Sequence, residues 1–280
     1  MTFEPWAWKS AGPLVTTIAL LAVQAGASAQ SPQAPPAPSG GSSRYVPARP
    51  VDTSDHAGWQ SMFNGRTLEG WDGPTDLWRV ENGTIVVRST SNPPTGPTYL
   101  IWNGGEPKNF ELVFEVKLEG TGANSGTQFR ATRLGEVAGN PRSRWETRGY
   151  QADFDNAGTN TGALIECCAG PRRGVPPRPD RAFRGQVVRT ATDSAQAPTL
   201  LATFDSAEAL ATAWKPGDWN RIHVIARDRT MMFSINGRLM SVLIDDHPSM
   251  FVDHGVLAIQ LEGRGDNTAS FRDLWIKLLP

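Results

Sequence analysis

The chain of 280 residues carries 27 Lys and Arg against 28 Asp and Glu, a formal net charge of −1. That balance excludes a nucleic-acid binder, because nothing supplies the positive field that phosphate binding needs. The length suits one large β domain or two small ones.

The first residues form a targeting segment. Lys9 is its positive flank, Ala11–Ala27 is mostly small and apolar, and Ala27-Ser28-Ala29 fits a small-residue cleavage pattern. A signal peptide over 1–29 is favoured over a retained membrane anchor, since the apolar stretch is short for a spanning helix and contains Gln24. The mature protein would then be periplasmic or secreted, with no stable membrane anchor. Residues 30–54 hold six prolines among Gly, Ser and Ala, and read as an extended linker.

From residue 55 the pattern is nearly all β. Asn64-Gly65, Glu81-Asn82-Gly83 and Asn236-Gly237 are hairpin signals, because Asn-Gly suits the positive φ angles of tight turns. Leu77–Val80 and Thr84–Arg88 flank the second of these, and Thr98–Trp102 follows a loop. Asn109–Leu118 is the clearest strand, with Phe110, Leu112, Phe114, Val116 and Leu118 on one side. Asn124–Ala131, Gly149–Asp155 and Gly162–Cys168 come next. The Pro/Arg stretch 170–184 reads as a loop, and Gln186–Arg189 as a short strand. Ser206–Ala213 is helix-like with Ser206 as N-cap. Trp219–Asp228, Thr230–Ile235, Leu239–Ile244, Leu257–Leu261 and Thr268–Leu278 complete the chain. Many short strands and one minor helix predict a single all-β sandwich or barrel over 55–280.

Three strands have an unusual polar face. Gly149–Asp155 (GYQADFD) sets Tyr150, Ala152 and Phe154 on one side and Gln151, Asp153 and Asp155 on the other. Thr127–Ala131 carries Gln128 and Arg130, and Leu257–Gly263 carries Gln260 and Glu262. These faces are expected to line one concave site. The only cysteines, Cys167 and Cys168, are adjacent, which excludes a disulfide framework. With no His nearby they also make a poor metal site. Asp245-Asp246-His247 resembles a ligand cluster but reads as a turn before Pro248.

The ordered set MFNGRTLEGW (62–71), WRVENGTIV (78–86), YLIWNGGEPKNFELVFEVKL (99–118), NSGTQFR (124–130), GYQADFD (149–155), TGALIE (161–166), GDWNRIHVIA (217–226), INGRL (235–239) and IQLEG…FRDLWIK (259–277) resembles the 3-keto-disaccharide hydrolase family. No single piece is specific; the order is. The resemblance implies a concanavalin-like jelly-roll β-sandwich and an exported enzyme acting on glycosides oxidised at carbon 3. Members similar to this chain often carry His where Glu262 stands, and Glu and Arg where Cys167-Cys168-Ala169 stands.

A ketone at carbon 3 acidifies the proton on carbon 2. A general base can remove it, the aglycone leaves from carbon 1, and water adds back. An ordinary glycosidase instead needs two carboxylates flanking one bond. Asp153, Glu166 and Glu262 are the candidate acid/base residues. For Glu166 a strand end in solvent is an equal reading, and for Glu262 a turn residue is. Arg130 could hold a hydroxyl, stabilise an enolate or pair with Asp153. Gln128, Gln151 and Gln260 are candidate hydroxyl ligands, and Trp102 could stack on a sugar ring, although a tryptophan is more often core. No cofactor is assigned. A hard divalent cation such as Ca2+ could be held by these oxygens, but no calcium-loop motif is present.

Two functions stay open: cleavage of a 3-keto-disaccharide or related glycoside by elimination and hydration, or non-catalytic carbohydrate binding. An oligosaccharide or glycoside is the expected partner in both.

Overall fold

The computed structural model describes residues 55–168, 181–192 and 196–280. The signal-peptide and linker readings, and most of the loop at 170–184, lie outside the described residues. The strands are β1 (Gln60–Ser61), β2 (Trp71–Asp72), β3 (Trp78–Glu81), β4 (Thr84–Ser89), β5 (Thr98–Trp102), β6 (Phe110–Glu119), β7 (Asn124–Arg133), β8 (Thr147–Asp155) and β9 (Ala163–Cys168). They continue as β10 (Arg181–Ala182), β11 (Gln186–Arg189), β12 (Thr199–Thr203), β13 (Asn220–Arg227), β14 (Thr230–Ile235), β15 (Arg238–Ile244), β16 (Val256–Leu261) and β17 (Asn267–Leu278).

They form two packed sheets, as the alternating pattern predicts. One runs β12-β11-β15-β14-β13-β6-β17-β4-β3, with β1 added to β17, and the other runs β10-β9-β8-β7-β16-β5-β2. This is a jelly-roll β-sandwich. Strand β6 shows why it closes. Phe110, Leu112, Phe114, Val116 and Leu118 are each at most 2 % exposed, and each contributes about 1.5–3 kcal/mol by leaving water. Phe114 packs on Phe154 of the facing sheet at 6.3 Å between ring centroids, so truncating it to alanine would cost about 3–5 kcal/mol.

The hairpins close through left-handed Asn-Gly pairs, Asn82 and Gly83 at φ 49° and 75° and Asn236 and Gly237 at 50° and 78°. Helix α1 (Ala207–Ala211) starts where the Ser206 hydroxyl accepts from the Ala209 amide at 3.1 Å. Four strands were not legible. β1, β2 and β10 are two residues long and too short for periodicity, and β12 reads TLLAT, exposed throughout as a sheet edge. Between β7 and β8 the chain makes a 3-10 turn at Pro141–Trp145.

One irregularity matters for the site. Strand β7 bulges between Phe129 and Thr132, where Arg130 adopts φ 47°. The bulge breaks the two-residue alternation and re-aims the Arg130 side chain. Gly255 accommodates it: a Cβ there would lie 2.6 Å from the Ala131 carbonyl oxygen.

Candidate active site

The register of the seven-stranded sheet arranges its outer face in rows, because residues directly opposite one another project to the same side. One row runs Ile165, Gln151, Gln128, Ala258, Ile101. The next runs Ala163, Asp153, Gly126, Gln260, Tyr99. A third joins Asp155 to Asn124, and Glu262 extends it through its amide to the Asn124 carbonyl at 2.9 Å. At the other end of the face, Ile101, Ala131, Val256 and Ala258 form a small apolar cluster under Trp145. The face therefore grades from apolar to acidic.

A cavity of about 420 Å³ opens at the acidic end. Its lining includes Asn124, Gln151, Asp153, Asp155, Asn160, Ile165, Glu262 and Arg264. Asp153 is 4 % exposed. Its Oδ1 has no hydrogen-bond partner among the described residues. Burial above all, then the charges of Asp155 and Glu262, push its carboxyl up to about 7, against the Phe154 amide and the Gln151 side chain, which both favour the ionised form. Glu262 is held differently: Gln260 Nε2 donates to its Oε2 at 2.9 Å, and Arg264 Nη2 lies 3.2 Å from its Oε1. Asp155 is bound into its own turn, accepting from the Thr159 and Asn160 amides at 3.0 and 2.7 Å. One carboxyl near neutrality beside others tied to donors is the arrangement that separates acid/base roles.

Three candidates do not join this cavity. Glu166 lies across from Tyr150, on the face opposite Asp153, and pairs with Arg148 at 2.8 Å. A slip of one residue between β8 and β9 would have reversed this, and the sequence does not encode that slip. Arg130 is fully buried, donating to the Lys108 carbonyl at 2.7 and 3.0 Å and to the Asp228 carbonyl at 2.7 Å. It neither pairs with Asp153 nor reaches a ligand there; the bulge has turned it toward the end of the sandwich. Trp102 is 5 % exposed in the main core. Strand parity places it beside Leu100 on the inner face, so it offers no stacking surface.

The remaining three candidates lie on the expected face, but not as free ligands. Gln128 is fully buried and bonded at both ends of its amide, to Thr147 Oγ1 and to Gln151. Gln151 lines the cavity. Gln260 is fully buried, with Oε1 lacking a hydrogen-bond partner among the described residues. Asp245-Asp246-His247 is a turn, as expected: Asp245 accepts from the Tyr150 hydroxyl, from Thr190 Oγ1 at 3.0 Å and from the His247 amide at 2.9 Å. Among the described residues, no group of three or more His, Cys, Asp or Glu side chains is placed to hold a metal ion. Arg264 and Asn160 were missed by the sequence reading. Their only signal is position in the Gly-rich turns that follow β16 and β8.

The sequence profile of the 3-keto-alpha-glucoside-1,2-lyase-like domain matches residues 58–277. The chain belongs to this family. No curated protein matches the chain. Among solved structures, a protein provisionally named a glycosyl hydrolase, from Parabacteroides distasonis, is 18% identical with a TM-score of 0.49, over 79% of this chain and 99% of that one. The carbohydrate binding module CBM66 from Bacillus subtilis is 11% identical with a TM-score of 0.45, over 74% and 95%.

Within this lyase-like domain, Glu262 takes the place where the resemblance leads one to expect His. A carboxylate there changes the local field. It adds negative charge beside Asp153 and raises the proton affinity of that carboxyl, where a protonated imidazole would lower it.

Proposed function

We propose that this protein cleaves glycosidic bonds of 3-keto-glycosides by elimination followed by hydration, with Asp153 as general base. The observation that carries the reading is the Asp153 carboxyl: buried, lining the cavity, with one oxygen unpartnered and its pKa raised to about 7. A base of that strength is half ionised at neutral pH and matched to a proton acidified by an adjacent ketone.

In the reaction, Asp153 takes the proton from carbon 2. The electron pair of that C–H bond forms the double bond between carbons 1 and 2, and the bond from carbon 1 to the leaving oxygen breaks. The leaving oxygen gains a proton, giving an alcohol and a 2-hydroxyglycal. Addition of water across the double bond returns the free 3-keto sugar. The enolate oxygen needs a positive neighbour. With Arg130 committed elsewhere, Arg264 is the cation lining the cavity.

In this reading the protein is exported, cut after Ala29, and works in the periplasm or outside the cell. Incubating purified protein with a 3-keto-disaccharide tests the activity. Release of the free 3-keto sugar supports it. Tight sugar binding by calorimetry with no product by chromatography would favour the non-catalytic reading instead.

A further inference from the structure

Two crossings between the sheets run side by side next to the cavity. Residues 90–97 lead from β4 to β5, and residues 262–266 lead from β16 to β17. Strand β4 pairs with β17 in one sheet and β5 with β16 in the other, so the two connections lie together. The second reads Glu262-Gly263-Arg264-Gly265-Asp266, and its Glu262 and Arg264 line the cavity. An arginine between two glycines would ordinarily be the loosest part of a surface. Here each residue from 263 to 266 is tied by another. The Gly263 carbonyl accepts from the Gly96 amide at 3.3 Å, and the Arg264 carbonyl from Asn267 Nδ2. The Gly265 carbonyl accepts from the Ser89 hydroxyl at 2.7 Å. The Asp266 carboxylate accepts from the Ser91 amide at 2.8 Å and from the Ser91 hydroxyl at 3.0 Å. Glycine at 263 serves close contact rather than freedom: it has φ 72°, and a Cβ there would lie 1.9 Å from the Gly96 carbonyl oxygen.

The Arg264 side chain itself stays open. It is 85 % exposed, with Nη2 3.2 Å from Glu262 Oε1. A fixed backbone thus carries an accessible cation at the cavity. We propose that Ser89, Ser91 and Asp266 are positioning residues, which fix the 263–266 turn so that the Arg264 guanidinium meets the substrate there. A cation stabilises charge developing on a reacting oxygen best when its own place is set beforehand. None of the three lines the cavity, so they act through the turn. The inference deepens the proposed function and rests on Arg264 as the cation for the enolate oxygen.

The test is a cycle of variants in the full-length protein, with steady-state kinetics on a 3-keto-disaccharide. Ser89→Ala with Ser91→Ala removes two hydroxyls and no charge, so the fixed charges around Asp153 stay as they were. This pair should lower kcat about tenfold with KM within about twofold, and Arg264→Ala should lower kcat about a hundredfold. All three changes together should match Arg264→Ala within about twofold, because a group that is gone cannot be misplaced. Ser91→Thr keeps the hydroxyl and should behave as wild type. If the serine pair does not fold, Ser91→Ala alone, at an exposed position, goes through the same cycle. Wild-type kcat in the serine variant, or a loss that multiplies with that of Arg264→Ala, would overturn the proposal.

A second measurement needs no substrate. In 15N relaxation, the amides of Gly263, Arg264 and Gly265 should be as ordered as a rigid strand in wild type, with order parameters of about 0.85, and fall below about 0.6 in the serine variant. Equal order in both would overturn the proposal. A wild-type protein without turnover, whose turn still loosens in the variant, would instead refute the activity and keep the anchoring of Arg264.

Discussion

Asp153 and Glu166 project from opposite faces of the same sheet: on β8 and β9, Asp153 is paired with Ala163, while Glu166 is paired with Tyr150. The two carboxylates cannot flank one bond in one cleft. That removes the arrangement an ordinary two-carboxylate glycosidase would draw from β8 and β9, and it divides the acidic residues into one group that lines the cavity and one that braces the sandwich.

Glu166→Gln should therefore leave turnover within about twofold of wild type. It should lower stability by about 1–2 kcal/mol, because Arg148 loses its ion pair with Glu166 while its charge stays partly buried. Steady-state kinetics and urea unfolding measure the two separately.

Asp153→Asn removes the base. A drop of about 10²–10⁴-fold in kcat is expected, with a small change in KM. The same variant has a stability signature. The folded carboxyl titrates near 7 and the unfolded one near 3.8, so the folded state holds its proton more tightly. The native penalty is absent below the unfolded value, grows as pH rises between the two, and is complete above about 7. Asp153→Asn should then be stabilising by a few kcal/mol, on the order of 1.4 per pKa unit, at pH 8 and nearly neutral at pH 4. Urea unfolding at both pH values checks it.

Activity should rise as pH increases through about 7, as Asp153 becomes ionised. Glu262→Gln removes a negative neighbour that raises this value, so the rising limb of kcat/KM should move to lower pH. A limb that stays in place would show that Glu262 does not set the field at Asp153.

Arg130→Ala should destabilise by about 2–4 kcal/mol, because the carbonyls of Lys108 and Asp228 lose their buried donors. The pH profile of the surviving activity should not move. Thermal unfolding and a pH–rate series measure the pair of effects.

Periodicity carried the reading where side chains alternate without interruption. β6, β8 and β13 were legible to within two residues at each end, and the polar face of GYQADFD was correctly separated from its apolar one. Three things were hidden. The pairing of β8 with β9 is a register, which two-residue alternation in one strand does not specify. The bulge at Arg130 depends on space left by Gly255, about 125 residues away in sequence. The bonds from Thr147 to Gln128 and from Gln128 to Gln151 depend on two strands lying side by side, and nothing at Thr147 in the sequence announces them. Trp102 is a different case: its parity with Leu100 was readable and points inward.

The central claim is that the bond to the proton on carbon 2 breaks. Turnover of a 3-keto-disaccharide labelled with deuterium at carbon 2 of the oxidised ring tests it most directly, followed by NMR of product quenched at early times. Loss of the label to water, with turnover slowed by the deuterium, is the predicted result. A product that keeps its deuterium at carbon 2, formed at the unlabelled rate, would contradict elimination and with it the role of Asp153 as the base.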